Sequence, residues 1–185
     1  MKRSTLILAA GLAAAAIAAC TKQSLQATFD KQTTYIENFV TARMKADTNA
    51  TLTRNGGAYR VTLHDTLSPL RDSLQWGQKV SLHYGCYTLT SNSVGASNLV
   101  ATNLKTLAKQ ASWALTDTTI FRPDTLTLDG SLVTGLADGL LGVQAGDEGF
   151  ILFTGKYGYG KSERGTIPAL SALAYYFWIE EIFNE

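Results

Sequence analysis

Leu132-Val133-Thr134-Gly135-Leu136-Ala137-Asp138-Gly139-Leu140-Leu141-Gly142-Val143-Gln144-Ala145-Gly146-Asp147-Glu148-Gly149-Phe150-Ile151-Leu152-Phe153 is the segment from which the architecture follows. From Leu132 to Leu141 the apolar positions favour a short helix, although Gly135 and Gly139 lower its intrinsic stability. Phe150 to Phe153 is an unbroken apolar run, the pattern of a buried strand. A helix this short needs a sheet on which to bury its apolar side, so the flanking segments should supply strands.

They do so on both sides. Leu173 to Phe183 is rich in aromatics and predicts a strand with Leu173, Tyr175, Phe177 and Ile179 on one face. Leu126 and Leu128 predict a strand that stops at Asp129-Gly130, and Leu104, Leu107, Ala108 and Ala111 have the spacing of a short helix before Trp113. Ser91 to Asn98 is a loop of small polar residues. Val80 to Tyr87 alternates, with Val80, Leu82, Tyr84 and Cys86 on one face, after the Ser68-Pro69 break and the Trp76-Gly77 turn. Tyr59, Val61 and Leu63 alternate behind the turn signal Asn55-Gly56-Gly57, so a first strand starts near Ala58. Earlier still, Phe29, Ile36, Phe39, Val40 and Met44 recur at helical spacing, Thr34 with Glu37 has the form of a capping box, and the helix ends before Asn49. That helix's apolar stripe suits packing onto the main domain, or else a dimerisation or client-binding face. The class is α+β, an antiparallel sheet wrapping one short helix, with an N-terminal helix and an inserted short helix.

The chain begins with Lys2 and Arg3 and then runs from Leu6 to Ala19 almost wholly as Leu, Ile, Ala and Gly, the charge order and length of a secretory signal. This run is shorter than the roughly 20 residues of a permanent span, so an uncleaved anchor is the weaker reading. Ile17-Ala18-Ala19-Cys20 resembles the bacterial lipobox, which implies that Cys20 carries lipid and becomes the N-terminus. Ordinary cleavage after an A-x-A-like site is the alternative. At about 0.8 kcal/mol per buried CH₂, two or more acyl chains hold a protein stably at a membrane. The expected divisions are a signal peptide at 1–19, a lipid-attached tether and helix at 20–57, with Thr21 to Ala27 as the tether, and a main domain at 58–185. The expected location is the bacterial cell envelope, lipid-anchored at the outer membrane and facing the periplasm or the surface.

Removing residues 1–19 leaves 14 of the 16 basic side chains against 15 acidic ones, which points away from a nucleic-acid partner. With Cys20 lipidated, Cys86 is the remaining thiol, so no internal disulfide forms and Cys86 reads as a small buried hydrophobe. His64 and His83 lie on separate predicted strands without Cys or paired acids at ligand spacing, so no metal and no cofactor are expected. The sequence does not fix an oligomeric state.

From about Ala58 to Ile182 the chain resembles the FKBP-type peptidyl-prolyl cis-trans isomerases. The Leu132–Leu140 segment is similar to that family's central helix, Val143-Gln144-Ala145-Gly146-Asp147-Glu148 to the turn after it, and Lys156-Tyr157-Gly158-Tyr159-Gly160 to its Tyr-x-Tyr-Gly segment. Val80-Ser81-Leu82-His83-Tyr84 is similar to its Val-x-Val-x-Tyr strand, and Ile167-Pro168-Ala169 with the strand through Tyr175 completes the resemblance. The resemblance implies a groove with Tyr84 and Tyr175 as walls, Leu132 and Val133 as a lip offering backbone N–H groups, Tyr159 as a hydroxyl donor and Ile167 on the far side. It also implies two departures. Leu136 stands where the family places a Trp as pocket floor, and Ala101, in Val100-Ala101-Thr102-Asn103, stands where it places an acidic side chain. Ser162-Glu163-Arg164-Gly165 is either a solvated turn or a flap beside the groove. The implied partners are proline-containing exported polypeptides. Two functions are open at this point: an envelope isomerase of reduced activity, and a non-catalytic binding or chaperone module at the membrane.

Overall fold

The computed structural model describes residues 3–64 and 72–183, without the side chains of residues 3–21 and of His64. The Ser68-Pro69 break and the side chain of Cys20 therefore lie outside the described residues. Helix α1 (Arg3–Ala46) opens the chain, which divides into two compact units, Met1–Lys31 and Gln32–Glu185. Along the first unit, Gln26 Nε2 donates to Asp30 Oδ1 and Thr28 Oγ1 to the Ser24 carbonyl, both across one helical turn. Residues 21–27, read above as a tether, are helical, because Lys22, Gln23, Leu25, Gln26 and Ala27 are strong helix formers and no Gly or Pro interrupts them. Thr34 and Glu37 consequently sit inside a helix and not at its start. Among the described residues no helix is long and apolar enough to cross a membrane.

The second unit is built on strands β1 (Thr51–Asn55), β2 (Ala58–His64), β3 (Lys79–Thr88), β4 (Leu99–Thr102), β5 (Asp124–Thr127), β6 (Glu148–Phe153) and β7 (Leu173–Phe183). Helices α2 (Lys105–Gln110) and α3 (Thr134–Leu140) interrupt them. The strands form one antiparallel sheet in the order β1-β2-β6-β7-β3-β4. β5 also pairs with β3, taking Lys79 to Leu82 while β4 takes Gly85 to Tyr87, so the two share one edge of that strand.

The period of two puts different side chains on the two faces. Val80, Leu82, Cys86, Ile151, Phe153, Leu173, Phe177 and Ile179 are buried with Leu136, Ala137 and Leu140 of α3. Val61, Tyr87, Phe150, Leu152 and Ala174 are buried on the other side with Ile36, Phe39 and Val40. From Ile36 to Met44 the helix's stripe is thus used for packing onto the sheet, and the Phe39 and Phe150 rings meet edge to face at 5.1 Å.

α3 lies close against the sheet because its sheet-facing positions are glycines. A Cβ on Gly135 would stand 2.3 Å from the Phe153 ring, and one on Gly139 would stand 2.2 Å from Ile151 Cγ2. The β1–β2 hairpin turns through Gly56, at φ +51°, and Gly57, and it docks on the same helix. Gly57 N–H donates to Asp138 Oδ2 at 3.1 Å, and Arg60 Nη1 donates to the Gly139 and Leu141 carbonyls at the helix end. Strands β1 and β4 were not anticipated. β1 is a largely exposed edge with one apolar residue, Leu52, and β4 is four residues long, so neither carries a hydrophobic period.

Candidate functional site

On the α3 side of the sheet the structure forms a cavity of about 230 Å³. β3 contributes Leu82, Tyr84 and Cys86, consecutive positions of its inward face. Register then adds its neighbours: Ala101 of β4 lies opposite Cys86, and Asp124 and Leu126 of β5 lie opposite Leu82 and Val80. Tyr175 enters from β7, paired with Cys86. Its ring stacks on Phe153 at 5.9 Å and leans on Tyr84 at 6.1 Å.

Leu132 and Leu136 close the cavity from the start of α3, and Leu136 is 7 % exposed. Val133 packs beside this core without lining the cavity. Of the two lip residues, Leu132 N–H already donates to the Asp129 carbonyl at 3.4 Å, whereas Val133 N–H meets no acceptor among the described residues. Tyr159 and Ile167 come from the loop between β6 and β7. Gly160, at φ +57°, turns the chain behind Tyr159, with Gly160 N–H donating to the Gly155 carbonyl. Arg164 and Ile167 exchange two backbone bonds of 3.0 and 2.9 Å around Gly165, at φ +56°, which fixes Ile167 over the cavity. The Tyr159 hydroxyl makes no hydrogen bond to the protein among the described residues, while its ring carries the Arg164 guanidinium at 5.9 Å.

The site is neutral apart from one carboxylate. Burial, and then Asp124 beside it as charge and hydrogen-bond acceptor, pushes the Tyr84 phenol up to about 12. Burial pushes the Cys86 thiol up to about 12 against the opposing hydrogen bond from Tyr175, whose own phenol is raised by burial and by Cys86. All three groups therefore stay protonated at physiological pH. Among the described residues no group of His, Cys, Asp and Glu is placed to hold a metal ion.

Seven of the residues singled out in the sequence (Tyr84, Ala101, Leu132, Leu136, Tyr159, Ile167 and Tyr175) line this one cavity. Asp124 was missed. It places a carboxylate of β5 beside the Tyr84 hydroxyl. The available signal was its place two residues before Leu126, on the same face of a predicted strand. Asn103 was missed as well. Buried at 3 % exposure, its Oδ1 accepts from Tyr84 N–H at 2.8 Å and its Nδ2 donates to the Leu82 carbonyl at 3.0 Å. It extends the β3–β4 pairing by a side chain and holds Tyr84 in place, with Thr102 Oγ1 donating to the Tyr84 carbonyl at 2.6 Å.

No family profile and no curated protein matches the sequence. Among solved structures the chain is similar to the crystal structure of the three FKBP domains of wheat FKBP73, with a TM-score of 0.56 and 14 % identity over 74 % of this chain. It spans about half of that longer chain, 52 %. At this identity the likeness is one of fold: an α+β domain of the FKBP type.

Proposed function

We propose that the chain is a peptidyl-prolyl cis-trans isomerase of reduced turnover, held at the bacterial envelope by lipid on Cys20 and acting on exported, proline-containing polypeptides. The observation that carries this reading is the convergence of Tyr84, Tyr159, Ile167 and Tyr175 on one apolar cavity in an FKBP-like fold. Rotation about a peptide bond has a barrier of about 18–20 kcal/mol, and no bond needs to break. The twisted transition state has lost amide resonance and is less polar than the planar ground state, so a water-poor aromatic groove binds it better. A millionfold acceleration requires about 8 kcal/mol. In this site Tyr84 and Tyr175 exclude water from the proline ring, and the Tyr159 hydroxyl and Val133 N–H donate to substrate carbonyls. Leu136 offers the ring a smaller surface than an aromatic floor, which sets the lower turnover. That same floor also favours a second reading, a non-catalytic module that holds proline-containing segments without accelerating rotation.

Exchange between cis and trans proline signals of a short peptide, followed by NMR with the full chain, tests the proposal. Expected is a measurable rate above the blank, raised about ten- to a hundredfold by Leu136→Trp and largely lost in Tyr159→Phe combined with Tyr84→Ala. Wild-type exchange equal to the blank, with no gain from Leu136→Trp, would replace the isomerase by the binding module. Fatty-acid labelling in cells, abolished by Cys20→Ser, checks the anchor; a label that persists in that variant refutes it.

A further inference from the structure

The loop that carries Tyr159 and Ile167 leaves β6 at Phe153 and enters β7 at Leu173, and its two ends cross at Gly155 and Leu170. The crossing is so close that a Cβ on Gly155 would stand 2.5 Å from the Leu170 carbonyl oxygen. Leu170 N–H donates to the Gly160 carbonyl at 2.6 Å, and Gly160 N–H donates to the Gly155 carbonyl at 2.9 Å. One side chain from outside the loop completes this ring. Gln32 of α1 accepts at Oε1 from Gly155 N–H at 2.9 Å and donates from Nε2 to the Leu170 carbonyl at 2.6 Å. Leu170 sits at φ +61°, a left-handed conformation that an aliphatic residue keeps only where its surroundings hold it, and here both its N–H and its carbonyl are held.

The chemistry of position 32 is specific. The two groups it meets are one donor and one acceptor, so the amide fits in a single orientation; turned over, it would set N–H against N–H and oxygen against oxygen. A carboxylate there could accept from Gly155 but would face the Leu170 oxygen with a second oxygen, and a methionine of similar length could make neither bond. Other contacts hold the loop elsewhere: Gly135 N–H donates to the Tyr157 carbonyl at 2.8 Å, and Thr166 Oγ1 donates to the Val100 carbonyl at 3.3 Å. Neither spans the neck. A change of angle at the neck moves Tyr159 and Ile167 together, since Gly160 follows the first and Leu170 lies shortly after the second.

We propose that Gln32 is a positioning residue for the proline site: by bracing the neck of the loop from α1, it sets the Tyr159 hydroxyl and the Ile167 side chain over the cavity. The proposal rests on the reading of that cavity as the proline site. Gln32 does not line the cavity, so it acts through the loop. The working unit therefore includes the end of the N-terminal helix that carries Gln32 as well as residues 58–185.

The test uses the full chain in the peptide exchange assay, with amide hydrogen exchange read on the same variants. Gln32→Ala should lower kcat/KM about tenfold, and in a Tyr159→Phe background by about threefold or less, because a hydroxyl already removed cannot be misplaced. Gln32→Met should be as slow as Gln32→Ala; full recovery in Gln32→Met would show packing in place of a brace and overturn the proposal. Gln32→Glu, measured against wild type at each pH, should be slow at neutral pH. It should recover as the pH falls toward the ordinary carboxyl value of about 4.3, since the protonated acid accepts at one oxygen and donates from the other as the amide does. Exchange of the Gly155, Gly160 and Leu170 amides should quicken about tenfold in Gln32→Ala, with that of Ile151 in β6 unchanged. If wild type isomerises no peptide, the isomerase reading falls, and the brace is decided by amide exchange and by the resonances of Tyr159 and Ile167. Gln32→Ala and Gln32→Met should shift those resonances, and low pH should restore them in Gln32→Glu. Unchanged exchange at the three amides, equal quickening at Ile151, equal losses of kcat/KM with and without the Tyr159 hydroxyl, or one pH profile for wild type and Gln32→Glu would also overturn it.

Discussion

Replacing Gly139 by alanine should destabilise the fold, against the sign that helix propensity predicts. In an exposed helix this change stabilises by about 0.8–1.0 kcal/mol. In α3 the new Cβ would stand 2.2 Å from Ile151 Cγ2 and 3.0 Å from its Cγ1. Ile151 has little room to retreat, being fully buried and paired in β6 with Arg60 on one side and Tyr175 on the other. The helix must lift from the sheet instead. Contact this close places the cost in the upper part of the about 1–3 kcal/mol that overpacking brings, leaving a net loss of about 1–2 kcal/mol. Ile151→Ala removes the two nearest atoms, leaving its Cβ at 3.1 Å, and costs about 2–5 kcal/mol by itself, so the double variant should lose at least about 1 kcal/mol less than the sum of the single changes. Leu136, one helical turn earlier, moves with the helix, so peptide exchange should also slow in Gly139→Ala. Urea unfolding followed by far-ultraviolet circular dichroism measures these losses, with an unchanged slope as the sign that the unfolding transition is the same. A midpoint for Gly139→Ala at or above wild type, or strictly additive losses in the double variant, would refute the reasoning.

Asn103→Ala strips a partner from Tyr84 N–H and from the Leu82 carbonyl, and at about 1–3 kcal/mol for each buried orphan it should cost about 2–6 kcal/mol; an unchanged urea midpoint contradicts this. Asp124→Asn removes the negative charge that disfavours the Tyr84 phenolate, so this phenol should titrate below its present value of about 12 and, because burial remains, still above 10.0. Ultraviolet difference titration against Tyr84→Phe reads that shift, and no shift refutes the pairing. The Cys86 thiol ionises near 9.0 when unperturbed and is pushed up to about 12 in the fold, so its contribution to stability is complete below pH 9 and is lost as pH rises toward 12. Cys86→Ala should flatten this alkaline decline in urea midpoint, and an equally steep decline in the variant would show that other groups cause it.

Much of this architecture was legible because it repeats. Val80, Leu82 and Cys86 alternate, as do Leu173, Phe177 and Ile179, and each set is buried on one face as a period of two requires. Gly135 and Gly139 were read as weaknesses of α3; their reason is a neighbour eighteen or twelve residues away, Phe153 or Ile151, which no local pattern reveals. The tyrosines of the site were visible by order and spacing, whereas Asp124 was not. Its relation to Tyr84 exists only through the β3–β5 register, across a stretch of forty residues. The side-chain pairing made by Asn103 was hidden for a similar reason, since a polar residue after a short strand looks like a loop until its partners are known.

The place of β7 in the sheet bears on when the fold can form. It is the last strand in the chain order described, yet it lies between β6 and β3, and Leu173 pairs with both Phe153 and Thr88. Before it arrives, β1, β2 and β6 form one group and β3, β4 and β5 another, with no ladder joining them. Closing the β3–β7 ladder joins residues 79–88 to residues 173–183, a long loop whose entropy must be overcome late. Until β7 is in place the two groups of strands share no ladder, and the facing edges of β6 and β3 are open to aggregation and proteolysis. This order also makes β7 the suture between the two halves, so clipping it would leave two unjoined fragments of sheet and not a trimmed edge.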